Sequence, residues 1–364
     1  MASLFQESQI KTLKLTNRFM RSATWEGLAN DDGTCTGELI DLMTALAGSD
    51  VGLITTGHTY VSPEGQATVR QLGIHSDRLI DGLREMSDAV HREGGRIIMQ
   101  LAHGGLRADP KFTGTTPVGP SNREDLTGSP GQEMTVEDIQ GTVNAFGQAS
   151  RRAKEAGFDG VQIHAAHGYL LSQFLSPAFN QRQDDYGGNI ENRVRFLLDV
   201  LRNIRHAVGD SFPVFVKINS EDFLKEGLTP EDSIQAGIML DGAGADAIEI
   251  SGGTLYSGKY IPFRKEITFE REQAYFRQTA KMLKARIKAP VILVGGIRSY
   301  LLAERLVNEG FADYISMSRP YIREPGLIRR WQSGDLRKAT CISCNGCLGA
   351  ARSERGIYCV QDQK

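Results

Sequence analysis

The sequence lacks a long apolar run and lacks a surplus of charge of either sign. No apolar stretch approaches the ~18 residues that indicate a membrane-spanning helix. Residues 1–11 contain no basic stretch followed by an apolar run, which a secretory signal needs. The 42 basic and 44 acidic residues nearly cancel, and no dense lysine or arginine cluster is present. These absences predict a cytoplasmic protein that binds neither a membrane nor nucleic acid.

Cysteine is also scarce, because the 364 residues contain only five. Four of the five crowd into the last 24 residues, at Cys341, Cys344, Cys347 and Cys359. A disulfide framework is usually distributed over a secreted domain, whereas clustered thiolates in a reducing compartment are typical of a metal site. The clustering therefore predicts a metal centre in the C-terminal segment.

Short apolar runs rich in valine and isoleucine recur along the chain and alternate with longer stretches of helical periodicity. This alternation is typical of βα units repeated around a parallel sheet. Eight strands are predicted, at 18–22, 52–58, 96–101, 160–164, 213–218, 247–251, 291–294 and 314–317. Eight units favour an α/β fold, a (β/α)8 TIM barrel over 1–335 with a short cysteine-rich extension at 336–364. An open doubly wound sheet has similar local patterns and remains the alternative.

Two of the connecting segments carry clear helix signals. Residues 77–93 place apolar side chains at spacings of three and four and end before a pair of glycines. Residues 135–156 begin with Thr135 and Asp138 in a capping-box arrangement and end before Gly157. Both segments are predicted to be crossover helices.

Two other connections, 102–134 and 252–269, are too long for ordinary βα loops. Both follow predicted strands at the carboxyl end, where the active sites of barrels lie. We therefore expect these connections to wall a substrate pocket.

Turns that contain glycine and arginine follow the last two predicted strands. Gly295 and Gly296 come after the seventh strand, and Ser318 and Arg319 come after the eighth. In a barrel these loops form a phosphate site, because glycines let backbone N–H groups approach the oxygens and an arginine supplies charge. The alternative is a pair of ordinary glycine turns. The matching positions favour a phosphorylated ligand without identifying it.

Two histidines and a tyrosine follow the fourth predicted strand, at His164, His167 and Tyr169. Two imidazoles can donate hydrogen bonds to one substrate oxygen while the phenol delivers a proton. The alternatives are a structural pair of loop histidines and a zinc site, although the motif offers zinc only two ligands. These three residues are the candidate catalytic groups.

Six motifs then occur in a specific order on the predicted barrel. They are Asn17-Arg18, QLAHGG at 100–105, HAAHGYL at 164–170, LSP at 175–177, DYGG at 185–188 and ENR at 191–193. With these motifs the sequence resembles the Old Yellow Enzyme family of FMN-dependent ene reductases, from about residue 4 to residue 325. Each motif is modest alone, but their order and their positions on the strands are specific.

The resemblance implies a bound FMN and assigns residues to it. Gln100 would hydrogen-bond the isoalloxazine edge, and the two turns would hold the phosphate. Lys217 would lie near flavin N1 and O2, where reduced flavin carries negative charge. For Lys217 the alternatives are a structural salt bridge and the Schiff-base chemistry of an aldolase-like barrel. The other residues that would lie beside the cofactor are Ser22, Ala23, Thr24 and His58.

Three further positions have no settled role in the sequence. Trp25 and Glu26 stand where some relatives carry a redox-tuning cysteine or small apolar residues, which leaves the pocket shape and the flavin potential open. Arg107 follows the QLAH motif. It is interpreted either as a contact to the flavin or a substrate carboxylate, or as a solvated arginine on a long loop.

The cysteine segment resembles the iron–sulfur segment that follows the barrel in the 2,4-dienoyl-CoA reductase and trimethylamine dehydrogenase branch. The third spacing in that branch has one more residue. A [4Fe–4S] cluster and a structural zinc have the same number of thiolate ligands, so cluster, zinc and an empty site all stay open. We expect no further flavin region in this chain, so a cluster would pass electrons to an outside partner or be structural.

These observations together predict a reductase with two half reactions. A nicotinamide cofactor, NADH or NADPH, or an electron partner reduces FMN, and flavin N5 then passes hydride to an α,β-unsaturated carbonyl compound. His164 and His167 would hold its oxygen, hydride would add at Cβ, and Tyr169 would protonate Cα. The alternatives are a non-redox aldolase or isomerase and an FMN and iron–sulfur electron-transfer protein. The physiological substrate and a homo-oligomeric state are left open.

Overall fold

The computed structural model describes residues 4–363, and its centre is a closed barrel of eight parallel strands. Within these residues the strands are β1 (Ser8–Ile10), β2 (Leu13–Leu15), β3 (Phe19–Arg21), β4 (Leu53–Tyr60), β5 (Ile97–Ala102), β6 (Val118–Gly119), β7 (Gln132–Glu133), β8 (Gly160–Ala165), β9 (Val214–Asn219), β10 (Ala247–Ser251), β11 (Val291–Leu293) and β12 (Tyr314–Met317). The helices are α1 (Gly37–Ala47), α2 (Ile80–Arg92), α3 (Pro110–Thr113), α4 (Glu124–Thr127), α5 (Val136–Glu155), α6 (Leu170–Leu175), α7 (Ile190–Arg193), α8 (Arg195–Val208), α9 (Pro230–Gly242), α10 (Arg277–Lys284), α11 (Tyr300–Asn308), α12 (Arg319–Arg323), α13 (Leu327–Gln332) and α14 (Gly346–Ala350).

The barrel strands follow one another in chain order, from β3 through β4, β5, β8, β9, β10 and β11 to β12, which pairs again with β3. All eight predicted strands are confirmed, and each boundary lies within two residues of its predicted position. Every residue of β4, β5, β8, β9 and β10 is buried, as expected where a parallel sheet is covered on both faces. The closed order excludes the open doubly wound sheet.

An antiparallel hairpin packs against the amino-terminal ends of the barrel strands. It consists of β1 and β2, and Lys11 between them has a φ of 53°. Ile10, Leu13 and Leu15 form one buried cluster with side chains near the starts of the strands, among them Met20, Leu53, Phe215, Ala247 and Tyr314. This hairpin was not predicted from the sequence, because three-residue strands are too short to show an alternating pattern.

Both predicted crossover helices form. The segment that begins at 77 starts with one 3-10 turn and continues as α2, and Gly94 follows it with a φ of 77°. Thr135 caps α5, where its side chain accepts from the Asp138 N–H and the Asp138 carboxylate accepts from the Thr135 N–H. Such a reciprocal cap satisfies two backbone donors that would otherwise lack partners.

The long connections and the C-terminal segment gather at the carboxyl end of the barrel. The 102–134 connection contains the small parallel pair β6 and β7. Residues 336–363 fold back onto the barrel, and there the Ile357 N–H donates to Glu26 O at 2.8 Å and Arg70 Nη2 donates to Ala351 O at 3.4 Å. The domain division at 335 stays a prediction. No helix between residues 4 and 363 has both the length and the apolar character to cross a bilayer.

Candidate active site

A cavity of about 310 Å³ opens at the carboxyl ends of the barrel strands. Ligand pockets occupy roughly 300–1,000 Å³, so this cavity lies at the lower end of that range. Twelve of the thirteen predicted barrel-site residues line it: Ser22, Ala23, Thr24, His58, Gln100, His164, His167, Tyr169, Lys217, Gly296, Ser318 and Arg319. Gly295 does not line the cavity but precedes a residue that does.

A buried polar network forms part of the cavity wall. Gln100 Nε2 donates to Gln162 Oε1 at 2.7 Å, and Gln162 Nε2 donates to Glu249 Oε2 at 2.8 Å. Glu249 Oε1 accepts from Ser22 Oγ at 2.8 Å and lies 3.2 Å from Lys217 Nζ. Lys217 and Glu249 are only 2% and 1% exposed. Glu249 therefore neutralises the buried charge of Lys217, which would be costly to bury without a partner.

The sheet register explains why these side chains meet. Lys217 on β9 pairs with His164 on β8 and with Glu249 on β10. Gln100 on β5 pairs with Gln162 on β8. Gln162 and Glu249 were not predicted from the sequence, although Gln162 lies two residues before His164 and so shares its face of the strand.

The two histidines and the tyrosine form a tight aromatic cluster. The His164 ring centroid lies 5.1 Å from that of His167 and 4.7 Å from that of Tyr169. Tyr169 Oη lies 3.2 Å from His58 Nε2, so His58 contacts the candidate proton donor. His164 Nδ1 is buried and has no hydrogen-bond partner among residues 4–363. Such an orphaned group is expected where a bound molecule supplies the missing partner.

Burial keeps the imidazoles of this cluster neutral. Burial, reinforced by the Arg107 charge, lowers the pKa of His58 to about 3. Burial also lowers the pKa of His164 well below its usual value, and His167 and Lys217 add to the effect. The pKa of His167 is lowered in the same way, by burial and then by Lys217. Each ring therefore offers one donor and one acceptor nitrogen near neutral pH.

Neighbouring strands orient His167. Its backbone adopts a φ of 65°, which is unusual for a residue other than glycine, and its N–H donates to Asn219 Oδ1 at 3.0 Å. Its Nε2 lies 2.7 Å from Ser251 Oγ. This contact leaves Nδ1 as the ring nitrogen available to a ligand. Ser251 also lines the cavity and was not predicted from the sequence.

The predicted phosphate turns lie together at one part of the cavity wall. Gly296 has a φ of 71°, and a Cβ at this position would lie 2.8 Å from Tyr275 Cε1, so glycine is required by both conformation and space. Thr24 Oγ1 lies 2.6 Å from Ser318 Oγ. Arg319 Nη1 donates to Asn345 Oδ1 at 2.5 Å, which connects this wall to the cysteine segment.

Trp25, Glu26 and Arg107, whose roles the sequence left open, lie in three different environments. Trp25 lines the cavity and packs against the buried cluster that contains Cys347. Glu26 does not line the cavity; it is buried and accepts from Arg21 Nη2 at 2.8 Å. Burial raises the pKa of Glu26, while the Arg21 charge opposes this effect. Arg107 is half-buried in the cavity wall, so it is not a solvated loop arginine.

The four C-terminal cysteines line one small cavity of about 20 Å³, which Arg319 also borders. The Gly346 N–H donates to Cys344 Sγ at 3.5 Å. Burial, together with the other three sulfurs, raises the pKa of the Cys347 thiol to about 11. Within residues 4–363 no group of three or more His, Cys, Asp or Glu side chains is arranged to hold a metal ion. The sulfurs therefore share a cavity without forming a preassembled site.

The larger cavity fits FMN by its chemistry. It combines a glycine turn that leaves room for backbone approach, an arginine beside that turn, a glutamine amide and a lysine. These are the groups that bind a phosphate, the polar edge of a flavin and its N1 region. The unpartnered His164 Nδ1 indicates that a further polar ligand group belongs near the cluster.

Comparison with known proteins gives a consistent result along the chain. A model of the NADH:flavin oxidoreductase / NADH oxidase family matches residues 3–337. NADH oxidase from Thermoanaerobacter brockii is 37% identical over 354 residues, which cover 95% of this chain and 54% of that protein. The chain thus spans about half the length of this relative.

Solved structures agree with this match. The complex of 2-naphthoyl-CoA reductase with 2-naphthoyl-CoA superposes with a TM-score of 0.87 and 30% identity, over 94% of this chain and 54% of that one. The Old Yellow Enzyme homologue from Zymomonas mobilis gives a TM-score of 0.79 and 27% identity, over 94% of this chain and 96% of that one. The resemblance stated from the sequence motifs is confirmed.

Proposed function

The chain belongs to the NADH:flavin oxidoreductase / NADH oxidase family, and from that premise we propose that its barrel cavity uses FMN and NAD(P)H to reduce an α,β-unsaturated carbonyl compound. The observation that carries the proposal is the neutral cluster of His164, His167 and Tyr169 in the wall of a cavity that fits FMN. The family consists of oxidoreductases, and the substrate class of this chain is our proposal.

The residues that would hold FMN come from several strands. Gly296 and Arg319 would bind its phosphate, Gln100 its polar edge, and Lys217 the N1 region. When bound, FMN would supply the two-electron chemistry that couples oxidation of NAD(P)H to reduction of an alkene. Glu249 holds Lys217 in place at 3.2 Å and Ser22 accepts from Lys217 at 2.8 Å, so the ammonium group has a fixed position.

The remaining cavity residues would bind and protonate the substrate. Neutral His164 and His167 would each donate one hydrogen bond to the carbonyl oxygen and so polarise the alkene. The Tyr169 hydroxyl would give a proton to Cα. In the net reaction the C=C bond becomes C–C, NAD(P)H supplies two electrons and one proton, and solvent supplies the second proton through Tyr169. NAD(P)⁺ is the oxidised product.

For His167 to donate through Nδ1, its Nε2 must be an acceptor. Ser251 Oγ lies 2.7 Å from Nε2 and can donate its hydroxyl hydrogen there. Ser251 would then act as a positioning residue that fixes the tautomer of His167. An aldolase mechanism lacks comparable support, because Lys217 is engaged by Glu249 and Ser22 instead of being free as a nucleophile.

The C-terminal segment is proposed to bind one metal centre, a [4Fe–4S] cluster or zinc, through Cys341, Cys344, Cys347 and Cys359. Their common cavity supports this proposal. The alternative for the whole chain, an electron-transfer protein without turnover of its own, would rely on the same cavity.

A visible spectrum before and after anaerobic reduction tests the central proposal. The protein should release FMN rather than FAD on denaturation. NADH or NADPH should bleach the flavin absorbance, and an enone such as 2-cyclohexenone should restore it without oxygen. Protein that binds no FMN when supplied in excess, or reduced protein that no enone reoxidises, would contradict the proposal.

A further inference from the structure

The cavity wall is strongly cationic, although the chain as a whole has a formal net charge of −2. No aspartate or glutamate is among the residues of the described chain that line it. Five basic side chains do line it: Arg107, Lys217, Arg298, Arg319 and Arg352. An excess of one charge sign in a concave site raises the local concentration of ligands of the opposite sign.

Three of the five cations have other partners. Lys217 is paired with Glu249. Arg319 lies in the phosphate part of the wall, and Arg298 donates through Nη1 to Cys341 O at 2.6 Å. Arg107 and Arg352 remain. Arg352 belongs to the C-terminal segment and is exposed, whereas Arg107 is half-buried beside the catalytic cluster.

Arg107 lies directly over the proposed proton donor. Its Cζ is 4.4 Å from the centroid of the Tyr169 ring, and Nη1 makes one long hydrogen bond, 3.4 Å, to His167 O. It takes part in none of the ion pairs found between residues 4 and 363, although Arg123 in the same 102–134 connection does. The histidines around it are neutral. Several guanidinium donors thus face a partly desolvated cavity without a matching anion.

We propose that Arg107 binds a carboxylate carried by the unsaturated substrate, in addition to the carbonyl oxygen that His164 and His167 would hold. This inference rests on the proposed function and names its substrate class as an anionic enone. A planar guanidinium matches a carboxylate in geometry and charge. Because Arg107 stacks on Tyr169, the carboxylate lies close to the reacting carbons. The phosphates of an acyl-CoA thioester lie beyond a long pantetheine arm and would reach exposed Arg352 instead.

Binding of an unreactive pair of ligands tests the charge preference apart from turnover. The pair is 4-oxopentanoate and its methyl ester, which share the ketone and differ in charge. We expect the oxidised FMN-bound enzyme to bind the acid more tightly than the ester, as measured by calorimetry or by fluorescence of Trp25. Arg107→Met should weaken acid binding about 10- to 100-fold, the usual value of a charged hydrogen bond, and should weaken ester binding much less.

Further variants separate charge from fold and from other anion sources. Arg107→Lys should recover part of the preference, and Arg202→Met, the same change on an exposed helix position, should leave both affinities unchanged. If the CoA phosphates reach Arg352, then Arg352→Met should weaken binding of a CoA thioester more than Arg107→Met does. Equal affinities for acid and ester in the wild type, or equal losses in Arg107→Met, would overturn the proposal.

Turnover of 4-oxopent-2-enoate and its methyl ester distinguishes this inference from the function on which it rests. Arg107-dependent binding without reduction of either alkene would keep the carboxylate subsite and reject the proposed reaction. Reduction of both alkenes without any effect of Arg107→Met on their ratio would keep the reaction and reject the subsite.

Discussion

The hydroxyl group of Tyr169 would supply one proton in the proposed reaction, and its role can be tested separately from flavin reduction. Tyr169→Phe keeps the ring that contacts His164 and Arg107 but removes the proton donor. Flavin binding and reduction by NAD(P)H should be nearly intact. Reoxidation by an enone should slow about 10²- to 10⁴-fold, the usual contribution of a positioned general acid. Rapid-mixing absorbance of each half reaction measures the two steps.

Tyr186→Phe is the matched control, because this hydroxyl bonds Gln140 at 3.2 Å and does not line the cavity. It should leave both half reactions unchanged. An unaltered enone step in Tyr169→Phe would mean that another group protonates Cα, and the assignment of Tyr169 would be withdrawn.

Ser251 would affect binding of carbonyl ligands indirectly, by fixing the tautomer of His167. Ser251→Ala should let the imidazole proton redistribute between its nitrogens and weaken binding of carbonyl ligands by about 10-fold, the value of one hydrogen bond. Ser251→Thr keeps the hydroxyl and should restore binding. Nitrogen-15 chemical shifts of His167 report the tautomer directly. Identical shifts in the wild type and Ser251→Ala would show that serine does not set it.

His103 makes stability depend on pH. Burial lowers its pKa to about 4, and the Gly105 N–H donates to His103 Nδ1 at 3.0 Å, which requires the neutral ring. The unfolded chain, with an ordinary value near 6.5, binds the proton first as pH falls. The contribution is therefore complete above pH 6.5 and is lost toward pH 4. The loss is about 1.4 kcal/mol per pH unit between these values.

Urea unfolding at several pH values between 7.5 and 5 checks this effect. His103→Gln lowers stability at every pH because it disturbs a buried site, but its stability should fall less steeply on acidification. Other titrating groups are common to both proteins, so the difference in slope isolates His103. Parallel slopes would contradict the assignment.

At the scale of elements, strand placement could be predicted and the contacts between strands could not. Apolar runs of four to eight residues bounded by turns locate most of the barrel strands in the sequence. Gln162, Glu249 and Ser251 escaped prediction because their roles arise from register between strands that are far apart in the chain. His164, His167 and Tyr169 could be named because one strand end carries all three.

The cysteine segment was located by spacing, but its geometry depends on packing against Trp25 and Arg319. Protein purified without oxygen should contain iron with sulfide or about one zinc per chain. Cys347→Ser should lose that metal, since it removes one ligand of four. Cys35→Ser changes a cysteine outside the segment and should retain it. Wild-type protein that contains neither iron with sulfide nor zinc would contradict the proposed metal centre.

At the scale of the whole molecule, FMN should stabilise the barrel, because its binding residues come from the first, second, third, fifth, seventh and eighth strands or the turns that follow them. A ligand at 100 times its dissociation constant adds about 2.7 kcal/mol to the free energy of unfolding. Adding FMN to stripped protein should therefore raise the melting temperature by several degrees. Riboflavin, which lacks the phosphate, should raise it less.

The difference between the two flavins isolates the phosphate site. In Arg319→Gln, FMN should raise the melting temperature only as much as riboflavin does, because the cation beside the Gly296 turn is lost. That variant also breaks the hydrogen bond to Asn345, so Asn345→Ala, which breaks the same bond but keeps the cation, is the control. In Asn345→Ala, FMN should still raise the melting temperature more than riboflavin does. If riboflavin stabilises the wild type as much as FMN does, the phosphate is not bound in the cavity, and Gly295, Gly296, Ser318 and Arg319 lose their proposed role.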